Sequence, residues 1–425
     1  MADRKSPRPS TPPPGADLER RVARLEFAEG ALARLRVPVR VDADPGRGVL
    51  TDLDVLALDF DRRLRLTRSI LECKSGKGQA GEPDRLLWLA GLQRFVRADR
   101  AVLVRQTITR RGREVAASLA VQILDVSTLE GRETAHAWIP NQFGHVDGPA
   151  CAAAETRADT HLKALPHLPA QLIGFLRHEA LLANPTRCIN ALHALKGAVE
   201  SGGTLPQPTA RVLASHALVT LLLAALQDAA RLDVVPPEQL QIRVERSVTL
   251  GDPDNDRILR VLGQADALVA LMVNRIHDSY AAAGASRQSL EPASLRELVA
   301  DPPTWVERYL DLVQRLRVNP SVASTLPQTA ELACFDALLG DSAYTAPAFG
   351  QLFTPEHHYL LVVAVRFLRD IAGDQIGEQV APILDLDFKR GAPALPDRTN
   401  GYGSPAPITG MPTTAQPVRQ TTPPE

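Results

Sequence analysis

The sequence predicts an α/β N-terminal domain, a mixed sheet flanked by helices, followed by a mainly α-helical C-terminal domain. Three observations carry this. In residues 17–135 the apolar periodicity alternates between helical and strand spacing in the order α-β-β-β-α-β-α-β, whereas in residues 151–390 nearly every periodic stretch is helical. A polar, glycine-containing stretch, residues 136–150, reads as a linker between them. The length of 425 residues, with 44% hydrophobic and 23% charged side chains, suits two globular domains and excludes collagenous, fibrous and wholly disordered chains.

Each element has its own signal. Leu18, Val22, Leu25, Ala28, Leu32 and Leu35 recur at helical spacing, which predicts a helix from residue 18 to about 37. Val37, Val39 and Val41 then alternate with Pro and charged positions, and Asp44-Pro45-Gly46 supplies a turn, so a first strand is expected here. Residues 50–58 and 64–71 are two β-compatible runs, joined by the polar connection Asp59-Phe60-Asp61-Arg62-Arg63. After Gly76, Gly78 and Gly81 the pattern gives a helix over residues 84–98, a strand over 101–105, a helix over 109–119 and a strand over 121–124. Further on, residues 211–232 are apolar almost all round and residues 258–280 are amphipathic. Helices are expected at 304–316 and 356–372, the latter closed by Gly373, and residues 239–250 alternate and predict a strand. Residues 1–16 and 391–425, rich in Pro and poor in anything to bury, read as disordered tails.

The net charge of −1 excludes a polyelectrolyte that binds nucleic acid along its whole length. Charge is uneven, however: residues 18–135 hold 22 Lys/Arg against 17 Asp/Glu, so the first third is where an anionic partner would be met. Four cysteines without a C-x-x-C pair argue against a disulfide framework, and a reducing cytoplasm is expected. Prolines 9, 12, 13 and 14 stand where an export signal needs an apolar core. The longest apolar run, residues 217–226, is half of the ~20 residues a bilayer crossing needs, so no membrane partner is expected.

The informative stretch is T-D-L-D-V-L-A-L, residues 51–58, followed by L-E-C-K, residues 71–74. Side chains alternate faces along a strand, so Asp52 and Asp54 share one face, and Glu72 and Lys74 project together while Cys73 points away. Neighbouring strands then offer carboxylate oxygens side by side. That donor set suits a hard divalent ion such as Mg²⁺, with Lys74 standing where it could orient an attacking water. An E-x-K triplet alone is far more often a solvated ion pair. Here it ends an otherwise apolar strand (Leu64, Leu66, Ile70, Leu71), where unpaired charge is expensive. Other patterns carry less. Ser75-Gly76-Lys77-Gly78 lacks the first glycine and the hydroxyl residue of a phosphate loop. Asp252, Asp254 and Asp256 lack the glycine and glutamate of a calcium loop, and Cys188 with His193 and the pair His357-His358 lack a second ligand pair for zinc.

On these residues the sequence resembles the PD-(D/E)XK nuclease superfamily, in particular branches similar to type IV restriction endonucleases and Holliday-junction resolvases. The resemblance covers residues 17–135 and implies a restriction-endonuclease-like fold. Asp54 matches the motif Asp, and Glu72 with Lys74 matches the E-x-K. The motif proline is replaced by Leu53 before Asp54, or by Thr51 before Asp52. Asp54 is favoured because V-L-A-L follows it, with Asp52 assisting. The family's helix acid would be Glu26 on spacing, with Glu19 next and Glu29 also open, and Gln93 falls where related nucleases place a polar residue near the site. The resemblance implies Mg²⁺, or Mn²⁺, held by Asp54, Glu72, Asp52 and the Cys73 carbonyl, with Lys74 positioning the water. The expected activity is endonucleolytic cleavage of DNA, in defence against foreign DNA or in repair. Arg62, Arg63, Arg65, Arg68 and Lys77 would meet the phosphate backbone. The helical domain is left to target recognition, a protein partner, self-association or regulation. The alternative is a catalytically silent nuclease-fold module that binds nucleic acid or protein.

Overall fold

Gly30 decides where the first helix stops. Helix α1 (Ala16–Ala28) ends as Gly30 adopts φ +117°, its N–H reaching Phe27 O while the Ala31 N–H reaches back to Glu26 O. A glycine in this left-handed region is the usual helix terminator, because it carries no Cβ to clash. The helix expected to run to residue 37 is therefore about nine residues shorter, and Leu32 and Leu35 belong to the strand β1 (Leu32–Val39). The computed structural model describes residues 15–40, 48–74, 81–136, 140–250, 256–286, 294 and 303–388. The turn at Asp44-Pro45-Gly46, the Gly76/Gly78 loop with Lys77, Asp252 and Asp254, and nearly all of both expected tails lie outside the described residues.

The remaining elements of the first part follow the expected order: β2 (Thr51–Phe60), β3 (Leu66–Lys74), α2 (Glu82–Phe95), β4 (Arg100–Arg105), α3 (Arg110–Ser118) and β5 (Gln122–Asp125). They form a five-stranded mixed sheet in the spatial order β1-β2-β3-β4-β5. The first two pairings are antiparallel and the last two parallel. Val55, Leu56, Ala57, Leu58, Ile70 and Leu71 are buried on both faces, so the middle strands read as continuous apolar runs.

The rest is mainly helical, as expected. After α4 (Val126–Glu133) come α5 (Gly144–Asp147), α6 (Pro149–Leu162), α7 (Ala170–Arg177), α8 (Pro185–Glu200), α9 (Thr209–Arg231), α10 (Pro237–Leu250) and α11 (Asp256–Ala282). Then follow α12 (Val306–Val318), α13 (Pro320–Ala323), α14 (Leu326–Leu332), α15 (Pro355–Ala372) and α16 (Asp374–Val380). Helix α9 is long and apolar enough to cross a membrane, and 94% of its most apolar window is buried by the surrounding helices. Residues 239–250 are helical, which corrects the expected strand. Leu240, Val244 and Ser247 are buried at helical spacing while Ile242 is exposed, and Pro237 opens the helix at its first position. Alternation over a few residues satisfies both periods, so it misleads here.

One apolar core runs through both parts. Phe143, inside the 136–150 stretch, is fully buried with its ring 4.8 Å from Phe27 of α1 and 5.5 Å from Phe349. Gln328 of α14 donates to Phe27 O at 2.5 Å and Ala31 O at 3.2 Å, which ties down the turn at Gly30. Arg34 of β1 meets Glu331 of α14 at 2.6 Å in a pair almost wholly removed from solvent.

His357, set aside above as a metal ligand, is a satisfied core histidine. Its Nδ1 lies 2.9 Å from Thr354 Oγ1 and its Nε2 2.9 Å from Thr325 Oγ1. Burial pushes its pKa down to about 4. The unfolded chain takes up this proton near pH 6.5, whereas the fold keeps the ring neutral until about pH 4. The stability this ring contributes is complete above pH 6.5 and is lost as pH falls through about 4, at no more than about 1.4 kcal/mol per pH unit. Urea unfolding of the parent and His357→Gln should show a stability gap that narrows by about 1–3 kcal/mol between pH 7 and pH 4.5. A constant gap would mean that the ring takes up its proton at the same pH in the fold as in the unfolded chain.

Candidate functional site

Strands β2 and β3 pair with Val55 opposite Leu71 and Leu56 opposite Ile70, so by the same count Asp54 stands opposite Glu72. Side chains opposite each other in an antiparallel pair leave the same face. Asp54 Oδ2 accepts the Cys73 N–H at 2.8 Å. Lys74 Nζ lies 2.7 Å from Glu72 Oε1 and 3.6 Å from Asp54 Oδ2. The Glu72 side chain is 3% exposed, Asp54 19% and Lys74 37%, so the site grades from a buried acid to a lysine at its mouth. Three of the residues singled out in the sequence are thus brought together.

A carboxylate as buried as Glu72 costs several kcal/mol unless cations and hydrogen bonds satisfy it. Lys74 is one cation. The other is Arg85, in the first turn of α2, whose guanidinium bonds Glu72 Oε1 and lies 4.2 Å over the Trp88 ring. Sequence reasoning misses Arg85, although a signal existed. A β-α-β crossover returns the start of its helix to the carboxyl end of the strand before it, and there Arg85 meets Glu72.

The other expected site residues do not join the cluster. Glu26 bonds Arg100 at 3.1 Å and Arg132 at 3.5 Å, and burial raises its carboxyl above the usual range against the pull of both arginines. Arg100 opens β4 in register with Ser69, whereas Lys74 is in register with Arg105, so Glu26 stands at the far end of the sheet. Glu19, two helical turns and ~10 Å earlier on the same face, is the helix acid on the site's side. It pairs with Arg36 at 3.0 Å, and its charge bears on the Cys73 thiol. Gln93 donates to Asp99 O at 3.2 Å, also at the far end. Asp52 is exposed, one strand step outward from Asp54 and in register with Pro38. Cys73 is buried; burial first, then the charges of Asp54, Glu19 and Glu72, push its thiol pKa well up.

The basic residues redistribute similarly. Arg62, Arg63 and Arg65 sit at the β2–β3 turn, the opposite end of the hairpin from Asp54 and Glu72. Arg68 donates to Ala183 O and Gln227 Oε1, both at 3.2 Å, in the helical part. The site's own edge instead carries Arg105, opposite Lys74, and Arg110, Arg111 and Arg113 in the first turn of α3. Carboxyl ends of parallel strands are where α/β sheets generally take ligands. Arg36, between the residues of β1 paired with Val55 and Leu53, has φ +52°, a strained conformation for a non-glycine residue beside this edge.

Two carboxylate oxygens remain for a cation. Lys74 and Arg85 both take Glu72 Oε1, and Asp54 Oδ2 takes the Cys73 N–H and Lys74. Glu72 Oε2 and Asp54 Oδ1 are left without a partner among the described residues. Oxygen donors of this kind fit Mg²⁺ or Mn²⁺.

The same geometry makes Cys73 chemically quiet. All four cysteines are free and buried, and burial also pushes the thiols of Cys188 and Cys334 up to about 12. A disulfide reagent added to the native protein should modify fewer than one thiol per chain within an hour, and all four after denaturation. Fast native-state labelling at Cys73, mapped by peptide mass spectrometry, would contradict its placement behind β3. No family model, curated protein or solved structure matches this chain.

Proposed function

We propose that residues 17–135 form a PD-(D/E)XK-type endonuclease unit with a restriction-endonuclease-like fold, hydrolysing DNA phosphodiester bonds with a divalent metal. The observation that carries this reading is the convergence of Asp54, Glu72 and Lys74 at the edge of β2 and β3. The order helix, three-stranded meander, helix, strand supports it, because it is the order that the resemblance to the superfamily implies. Asp54 and Glu72 would hold Mg²⁺ or Mn²⁺, with the Cys73 carbonyl completing the coordination. When bound, such an ion supplies a Lewis acid for the phosphate and a water acidified for attack.

The chain's own residues do the rest. Lys74, at the mouth and 2.7 Å from Glu72, orients the water and offsets charge that builds on the phosphate. Arg85 has a guanidinium fork suited to a non-bridging phosphate oxygen once Glu72 engages an ion. Arg105, Arg110 and Arg111 would lie along the DNA backbone, with binding that weakens steeply in salt. The contact between Arg85 and Glu72 also favours a second reading, a silent nuclease-fold module in which arginine occupies the acid permanently.

Incubation with supercoiled plasmid separates the two. The nuclease reading expects nicking with Mg²⁺ or Mn²⁺, none with EDTA, and rates at least ~100-fold lower for Glu72→Ala and Lys74→Ala. Equal cutting by Lys74→Ala would reject the catalytic assignment of this site, and no cutting in any metal alongside salt-sensitive DNA binding would decide for the silent module.

A further inference from the structure

A second polar cluster lies between the sheet and the helices. His145 comes from α5, Glu155 from α6, His216 from α9 and Glu331 from α14. Glu155 Oε1 lies 3.3 Å from His145 Nε2 and 2.7 Å from His216 Nε2, and the three ligand atoms all fall within 4.8 Å of one another. Among the described residues this is the group of three or more His, Cys, Asp or Glu side chains so placed. We propose that His145 Nε2, His216 Nε2 and Glu155 Oε1 bind one Zn²⁺ per chain, tying α5, α6 and α9 together.

The donor set fits that ion, and its spacing comes within reach of it. Zinc takes imidazole nitrogen and carboxylate oxygen at ~2.0–2.2 Å in tetrahedral geometry, which puts ligand atoms about 3.3–3.5 Å apart. The His145–Glu155 separation of 3.3 Å already matches; the His216–Glu155 separation of 2.7 Å needs to open by about 0.6–0.8 Å, and the two histidine nitrogens, within 4.8 Å of each other, need to settle at the same edge length. Cys151, four residues before Glu155 on α6, is buried near the His145 ring but lies outside the group of mutually close ligand atoms, so the fourth position is left to a water.

The outer contacts are those a zinc site needs. His145 Nδ1 lies 3.0 Å from Glu331 Oε1, which also accepts the His145 backbone N–H at 3.1 Å. A carboxylate on Nδ1 fixes the tautomer that leaves Nε2 free to ligate. Each carboxylate is divided between an arginine and the histidines: Arg177 holds Glu155 Oε2, and Arg34 holds Glu331 Oε2 at 2.6 Å. Arg177 is balanced in turn by Asp159. The ring of Phe335 closes the site, with its centroid 4.0 Å from that of His145 and 4.9 Å from that of His216. Phe335 sits in a π-helical turn, Ala333–Ala337, that continues α14, and such turns recur at functional positions.

The rival account is a metal-free network in which a proton on His145 bridges Glu331 and Glu155. Full-length protein, stripped with a chelator and dialysed, decides between them. Calorimetric titration with Zn²⁺ should show one ion per chain with a submicromolar Kd, together with a higher melting temperature. Co²⁺ should give the intense visible bands of a four-coordinate ion. Asp54→Ala should bind Zn²⁺ as the parent does, since that residue belongs to the other site, and His216→Gln should bind at least tenfold more weakly. Absence of uptake, a pale six-coordinate Co²⁺ spectrum, loss of binding in Asp54→Ala or full binding by His216→Gln would each overturn the proposal. The parent's stoichiometry and Co²⁺ spectrum decide the matter even if His216→Gln fails to fold. None of these outcomes depends on DNA cleavage, so the two sites are tested separately.

Discussion

The pairing register of β2 on β3 is the constraint on which the rest depends. Strand side chains alternate with a period of two, so a slip of one residue would turn Glu72 and Lys74 to the other face and leave Asp54 opposite an apolar residue. The register is set at the far end of the hairpin. Asp61 Oδ1 accepts the backbone N–H groups of Arg63 at 2.7 Å and Arg65 at 2.9 Å, while its own N–H reaches Arg65 O at 3.1 Å. Leu64 supplies the turn's unusual step, with φ +62° and its side chain fully buried, so packing holds a backbone conformation that leucine otherwise avoids. A turn whose chemistry is wholly local thus determines which carboxylates meet roughly 20 Å away.

Buried charge is the second theme, and it is organised the same way in both clusters. Glu72 is shared between a lysine on its own strand and an arginine on the following helix. Glu331 is shared between an arginine from the sheet and a histidine from a short helix. In each case an acid with almost no solvent contact is met by groups from different elements. Removing one partner strands a charge at a cost of about 3–5 kcal/mol, which makes these contacts conditions on the assembly of the fold.

The element order of the first part was legible because its strands are strongly apolar runs and its helices carry clear stripes. The convergence of Asp54, Glu72 and Lys74 was legible for a related reason, since alternation along a strand is a local property. What alternation does not give is position along the strand. Glu26 and Glu19 share a helix face, so spacing alone could not say which end of the sheet each would reach; the stop at Gly30 settles it, and Gly30 lies within a run of Ala and Leu that continues the helical pattern. Residues 239–250 satisfied two periods at once. Arg85 and the His145, Glu155 and His216 cluster needed tertiary structure. The first depends on a helix folding back, and the second joins residues up to 71 positions apart whose neighbours carry no ligand pattern.

Strand β1 shows how the two parts become one body. It is the edge of the sheet, where unpaired backbone groups invite association with other chains. Pro38 removes one donor from it, and the left-handed Arg36 breaks its regularity. Arg34 and Arg36, two residues apart, reach in different directions: Arg34 to the buried Glu331 beneath the helices, Arg36 to Glu19 on α1 beside the Asp54 edge. An edge strand held by ion pairs on both sides cannot slide along β2 without breaking one of them. The polar contacts that look dispensable in an apolar core therefore hold in place the strand lying against Asp54, which aligns the sheet edge where the acids converge.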